Sequence, residues 1–156
     1  MPTFRQSTES IKDQIREAFA NVPYPGDDDL VGHKCEECKE VEARFKGQAW
    51  QELSSDTIDS YYFALSLFTP PAFRYYLPAF MIFTLENLDS GSSAVDTTVF
   101  SLCPLDSDND SFQFIRVRCD AITTRQKDVV RVFLRVVEGH GYQRDVASAF
   151  SSYWGV

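Results

Sequence analysis

Residues 69–88 constrain the fold of this chain more than any other segment. Thr69 precedes Pro70 and Pro71, and proline fits a helix only in its first turn. The triplet therefore stops one helix and starts another, with Thr69 as its N-cap. Phe73, Tyr76 and Leu77 continue at helical spacing, and residues 79–88 are apolar on almost every face. A helix without a polar face belongs in the middle of a protein, wrapped by other segments. Pro78 lies inside this pattern and predicts a kink or a fresh start. The longest apolar run, residues 77–85, is far too short to cross a bilayer.

The flanking sequence supplies the wrapping. Ile11, Ile15 and Phe19 recur at i, i+4, i+8 and predict a helix over 7–20, capped by Ser7 or Thr8. Asn21 to Gly26 breaks it, and Asp27, Asp28 and Asp29 follow as a solvated cluster. A second helix is expected over 30–45, with Val41 and Phe45 inward, a Glu40–Arg44 pair outward and Gly47 just past its end. Trp50 and Leu53 fall in a short link. Asp56 caps a third helix reaching Leu67, with Ile58, Tyr62 and Leu65 as its inner stripe.

After a loop over 87–93, Val95, Val99 and Leu102 predict a short helix, weakened by the β-branched run Thr97-Thr98-Val99. Residues 104–110 form an acidic turn. Residues 112–119 alternate in part and read as extended chain or a helical turn, since one strand cannot make a sheet. Thr123 or Thr124 caps a long helix over 125–138. Val129, Phe133 and Val137 are its stripe, Val130 and Leu134 widen it, and Lys127, Arg131 and Arg135 are its one polar ridge. Gly139-His140-Gly141 ends it. A last helix, 142–153, turns Val146, Ala149, Phe150 and Tyr153 inward. The expected fold is mainly α: one domain over residues 1–156, a compact bundle of about six helices, with one short extended segment near 112–119.

Charge and composition narrow the function classes. The 156 residues are 44% hydrophobic and 14% aromatic, enough to fill a core. Fifteen Lys and Arg stand against 23 Asp and Glu, a formal net charge of −8. Nucleic acid and anionic membranes would repel such a chain. A basic protein partner would be steered toward it; simple solubility charge is the plainer reading. No charged segment precedes an apolar run at the start, so a cytoplasmic setting is expected, with the four cysteines mostly free thiols and no cofactor implied.

One resemblance covers most of the chain. Residues 68–80, Phe-Thr-Pro-Pro-Ala-Phe-Arg-Tyr-Tyr-Leu-Pro-Ala-Phe, resemble the central TPxAFRYYLPA motif of an uncharacterised bacterial family. The step Phe45-Lys46-Gly47-Gln48-Ala49-Trp50 is similar to its F-G-x-x-W element. Ile122-Thr123-Thr124-Arg125-Gln126 with Val132-Phe133-Leu134 is similar to its closing helix. Pro71 stands where an acidic residue is commoner. The resemblance implies a compact helical fold and no reaction. Read physically, the motif is a core corner in which Phe73 and Leu77 anchor. Its functional alternative is a small surface of Arg74, Tyr75 and Tyr76, residue types common at interface hot spots.

Few residues offer chemistry. Cys35-Glu36-Glu37-Cys38 is the sharpest motif. Its carboxylates, with Glu40, are expected to raise the thiol pKa and oppose redox use, Lys34 and Lys39 compensating only in part. As a metal site, His33, Cys35 and Cys38 would need Cys103, Cys119 or His140 to complete four ligands. The plainer reading is two small side chains one helical turn apart. Asp106, Asp108 and Asp110 begin like a calcium loop, yet Ser111 replaces the required glycine and Val117 the closing glutamate. His33 and His140 are the only histidines, and neither a nucleophile elbow nor a phosphate loop is present.

These readings favour a non-enzymatic interaction or regulatory protein, in one form an immunity-type protein against a basic toxin such as a nuclease. The alternatives are a metal-binding protein using Cys35 and Cys38, and an enzyme whose carboxylates meet only in the fold.

Overall fold

Thr69 caps the helix that the sequence placed at the centre: its hydroxyl accepts from the Ala72 N–H at 3.3 Å. The computed structural model describes residues 4–104 and 110–155. Eight α-helices lie among them: α1 Phe4–Phe19, α2 Glu36–Phe45, α3 Ser55–Ser60, α4 Pro70–Glu86, α5 Ser93–Phe100, α6 Asp110–Asp120, α7 Thr124–Glu138 and α8 Gln143–Ala149. Short 3-10 turns occupy Trp50–Glu52 and Ala64–Ser66, and a π-helical turn, Phe150–Trp154, follows α8. The fold is mainly helical and compact around one core, with more helices than the about six expected, one of them α6 in the segment expected as extended chain.

Central α4 runs without interruption through Pro78. An interior proline costs a helix about 3 kcal/mol. Phe73, Tyr76, Leu77, Phe80 and Met81 are all completely buried along it. Each such side chain contributes about 1.5–3 kcal/mol by leaving water, so burial outweighs the defect and the helix need not restart. Helices α1, α3, α5 and α6 pack around α4, and α7 packs on α1 and α8. Phe45 of α2 closes the aromatic centre, edge-on to Phe68 at 5.2 Å and to Tyr76 at 5.1 Å.

Several expectations are corrected. Helix α1 is already helical from Phe4, so Ser7 and Thr8 lie within it rather than cap it. Helix α2 begins only at Glu36. Upstream, residues 29–31 run alongside 68–69: Val31 bridges antiparallel to Phe68, the Thr69 N–H donates to Leu30 O at 3.0 Å, and the Thr69 hydroxyl donates to Asp29 O at 2.8 Å. Those bonds keep the segment out of the helix, with Leu30 fully buried. Arg44 donates to the Thr57 hydroxyl at 2.8 Å, across to α3, where a Glu40 pair was expected.

Ser54, not Asp56, caps α3, which ends after Ser60. The break changes the register, so Ile58 and Leu65 are buried while Tyr62 faces solvent. Residues 110–120, expected in part as extended chain, are helix α6. Its Ile115 and Cys119, at i and i+4, are buried against the core. At the carboxyl end, Trp154 is the fully buried anchor; Phe150 and Tyr153 are only half-buried. The Trp154 indole donates to Leu102 O at 2.6 Å, and Arg131 donates to Trp154 O at 2.7 Å. The polar ridge of α7 thus clasps the last turn, with Arg135 stacked 3.7 Å from the Phe150 ring centroid and Lys127 5.2 Å from that of Tyr153. The acidic motif over 106–110 lies mostly outside the described residues.

Candidate functional site

The Arg74-Tyr75-Tyr76 surface is not formed. Tyr76 is completely buried and Tyr75 nearly so. The Tyr76 hydroxyl donates to Phe45 O at 2.7 Å and Gln48 O at 2.8 Å. Burial and the nearby Tyr24 push its ionisation far above the usual phenol range. Arg74 donates from Nε to Gln126 Oε1 at 3.3 Å. Gln126 is nearly buried and completes a capping box with Thr123. Its oxygen also accepts from the Thr123 N–H at 2.9 Å, and its amide donates to Ala18 O at 3.1 Å. The motif segments 45–50, 68–80 and 122–126 are therefore bonded to one another inside the fold. They specify a joint between helices, not a binding face.

The thiol pair stands one helical turn apart, as the plainer reading expected, but at the very start of α2 rather than inside it. Cys35 is the N-cap of α2, exposed, with its sulfur accepting from the Cys38 N–H at 3.3 Å. Cys38, one turn on, is completely buried. The Cys38 thiol, and next the Cys38 N–H, donate to Cys35 and lower its pKa; the Glu37 charge opposes them less strongly. Burial, then hydrogen bonding with Cys35, pushes Cys38 up to about 11. The local carboxylates do not decide the matter, because hydrogen bonds at the helix start outweigh charges that project into water. Lys39 pairs with Glu36 at 3.6 Å in the same turn.

As for metal, no group of three or more His, Cys, Asp or Glu stands together among the described residues. His140 lies 3.6 Å from Asp89, and Cys119 donates to Ser101 O at 3.8 Å. Neither joins His33, Cys35 and Cys38. Cys103 and Cys119 are both buried.

The exposed apolar side chains were not singled out from sequence. Phe100, Phe114 and Val117 are 54%, 59% and 54% exposed. Phe100 and Phe114 line a groove of about 340 Å³ with Leu65, Ile115 and Arg118. Phe114 and Val117 line an adjoining one of about 210 Å³, with Thr69 and Pro70. His33 and Arg118 border both. Arg118 is fixed there, donating to Phe68 O at 2.8 Å and Ser66 O at 2.7 Å. On its other side, Phe100 shares a shallow groove with Asp96, Tyr142 and Asp145, and the Tyr142 hydroxyl donates to Asp96. A separate cleft of about 420 Å³ lies between α1, α3 and α4, lined by Arg16, Trp50, Ile58, Phe83 and Glu86 among others. The Trp50 indole N–H is buried with no hydrogen-bond partner. The spacing of 112–119 held the only clue to the exposed strip: on a helix that buries Ile115 and Cys119, Phe114 and Val117 fall off the inner seam. Among the described residues, no helix is long and apolar enough to cross a membrane.

A family model described as a family of unknown function (DUF6714) matches residues 7–155. No curated protein and no solved structure matches the chain.

Proposed function

We propose that the chain, which belongs to this family, is a non-enzymatic interaction protein whose docking face is the strip Phe100–Phe114–Val117 and whose partner is a basic protein. The strip carries the reading. Three large apolar side chains, each more than half exposed, share adjoining grooves. Covering what remains exposed of one such side chain is worth about 1–1.5 kcal/mol. Asp96 and Asp145 border the Phe100 end, and the whole chain carries −8. That charge would speed encounter with a basic surface, while the apolar strip would supply the buried centre of the interface. Regulation of a partner, including immunity-type neutralisation of a basic toxin in a bacterial cytoplasm, is the form this function takes.

The test is affinity capture with the native chain and with a Phe100→Ser/Phe114→Ser double variant of equal thermal stability. The expected result is a strongly basic partner retained by the native chain, lost by the variant and weakened by salt. Retention of the same proteins by both chains, or of acidic ones only, overturns the reading. The metal alternative is decided by elemental analysis of chelator-free protein, where a stoichiometric metal would be required. The fold does bring Asp96, Tyr142 and Asp145 to one groove, the kind of grouping an enzyme reading needs; a hydrolase screen of an Asp96→Asn variant against the native chain would decide that alternative.

A further inference from the structure

We propose that Cys35 and Cys38 form a dithiol–disulfide pair that exchanges with disulfides of small thiols or of proteins, Cys35 attacking and Cys38 resolving. This inference stands apart from the docking face, which uses neither thiol.

Three observations meet at the pair. The two cysteines are one turn apart at the start of α2, where residues three apart are neighbours, so a bond between them spans no large gap. They are unequal: Cys35 is open to solvent, while Cys38 is fully buried behind it. An incoming disulfide can therefore meet only Cys35, and Cys38 can meet only what Cys35 has captured. Cys35 is also the cap of a ten-residue helix and takes the Cys38 N–H directly. The unpaired N–H groups of a first turn and the helix dipole favour negative charge there, which is the thiolate form that attacks disulfides. The opposite pKa directions of the two thiols agree with these roles. Cys103 and Cys119 share none of this arrangement, since both are buried.

The exchange balances in two steps. The Cys35 thiolate attacks one sulfur of RSSR. The S–S bond breaks, RS⁻ leaves and takes a proton from water, and Cys35 carries a mixed disulfide with R. The Cys38 thiol then loses its proton to solvent, its sulfur attacks the Cys35 sulfur, and the second RS⁻ leaves and is protonated. The pair has lost two electrons and RSSR has become two RSH. The reverse sequence passes those electrons back to reduce a disulfide.

The test uses the full chain, reduced, then exposed to oxidised glutathione and quenched in acid for intact-mass and peptide analysis. The native chain is expected to lose two hydrogen atoms, with a Cys35–Cys38 linked peptide and little retained glutathione. Cys38→Ser, with Cys38→Ala as a second variant in case the buried hydroxyl disturbs folding, is expected to accumulate one glutathione on Cys35. Cys35→Ser keeps a helix-capping oxygen and is expected to take up none. The proposal is overturned if the native chain keeps glutathione as Cys38→Ser does, if the reacting thiols prove to be Cys103 or Cys119, or if Cys35 reacts no faster than a cysteine in an unstructured peptide.

Discussion

Helices α4 and α6 are both rich in aromatic and aliphatic residues and have opposite fates. On α4, twelve residues from Ala72 to Leu85 are buried, on every face. On α6, Ile115 and Cys119 are buried while Phe114 and Val117 stand in solvent. The difference lies in position, not composition. A helix enclosed by neighbours uses all its apolar surface for stability, whereas a helix at the edge uses one seam and leaves the rest for something else. The same principle separates the cysteines: Cys38, Cys103 and Cys119 serve the interior, and Cys35 does not.

The comparison can be broken by mutation. Phe45→Ala removes a ring completely buried against Phe68, Tyr76 and Phe80, and is expected to cost about 3–5 kcal/mol in urea unfolding. A loss below about 1 kcal/mol would show that the aromatic centre is not the packed core described. Next in size is Arg118→Ala. This side chain is the polar clamp of α6 onto the carbonyls of Ser66 and Phe68, so about 1–2 kcal/mol should be lost. Arg118→Lys should not restore it, because one ammonium cannot reproduce a forked donor.

Alkaline pH sharpens the contrast between thiols. Burial pushes Cys103 up to about 12 and Cys119 higher still, above the ordinary thiol value of about 8.5 that both take when unfolded. The folded state therefore keeps protons that the unfolded state has lost. Their stabilising contribution is complete below about pH 8.5 and declines as pH rises toward 12, by at most about 1.4 kcal/mol per unit for each group. Cys103→Ala should make that decline shallower in unfolding measured across the range; an unchanged slope would mean Cys103 is not buried in solution. Smallest of all, Phe114→Ala should shift stability by no more than about 0.5 kcal/mol, since the ring is mostly in water. A large loss there would make Phe114 a core residue and remove the docking strip.

Some of this was readable before the fold. Thr69, Pro70 and Pro71 announce a helix start through local geometry alone, and Thr123 or Thr124 does the same for α7, where Thr123 proves to be the cap. The inward stripe of α7 follows from its spacing, and all five of its predicted residues are buried. Other features were illegible for definite reasons. Residues 110–120 have a mixed pattern whose helical form depends on the seat that Ile115 and Cys119 find in the core. Residues 29–31 stay outside α2 because Thr69, forty positions from Asp29, bonds them. Tyr75 and Tyr76 looked like recognition residues by type, and only the carbonyls of Phe45 and Gln48 reveal that Tyr76 is an internal strut.

Sequence alone thus determined a mainly helical chain with a central apolar helix and two well-capped starts, because capping and periodicity act over a few residues. Tertiary structure decided where α2 begins, which aromatic rings face water, and that Cys35 rather than Cys38 is open. Those outcomes depend on contacts between residues far apart in the chain, whose energies exceed the local preferences they override.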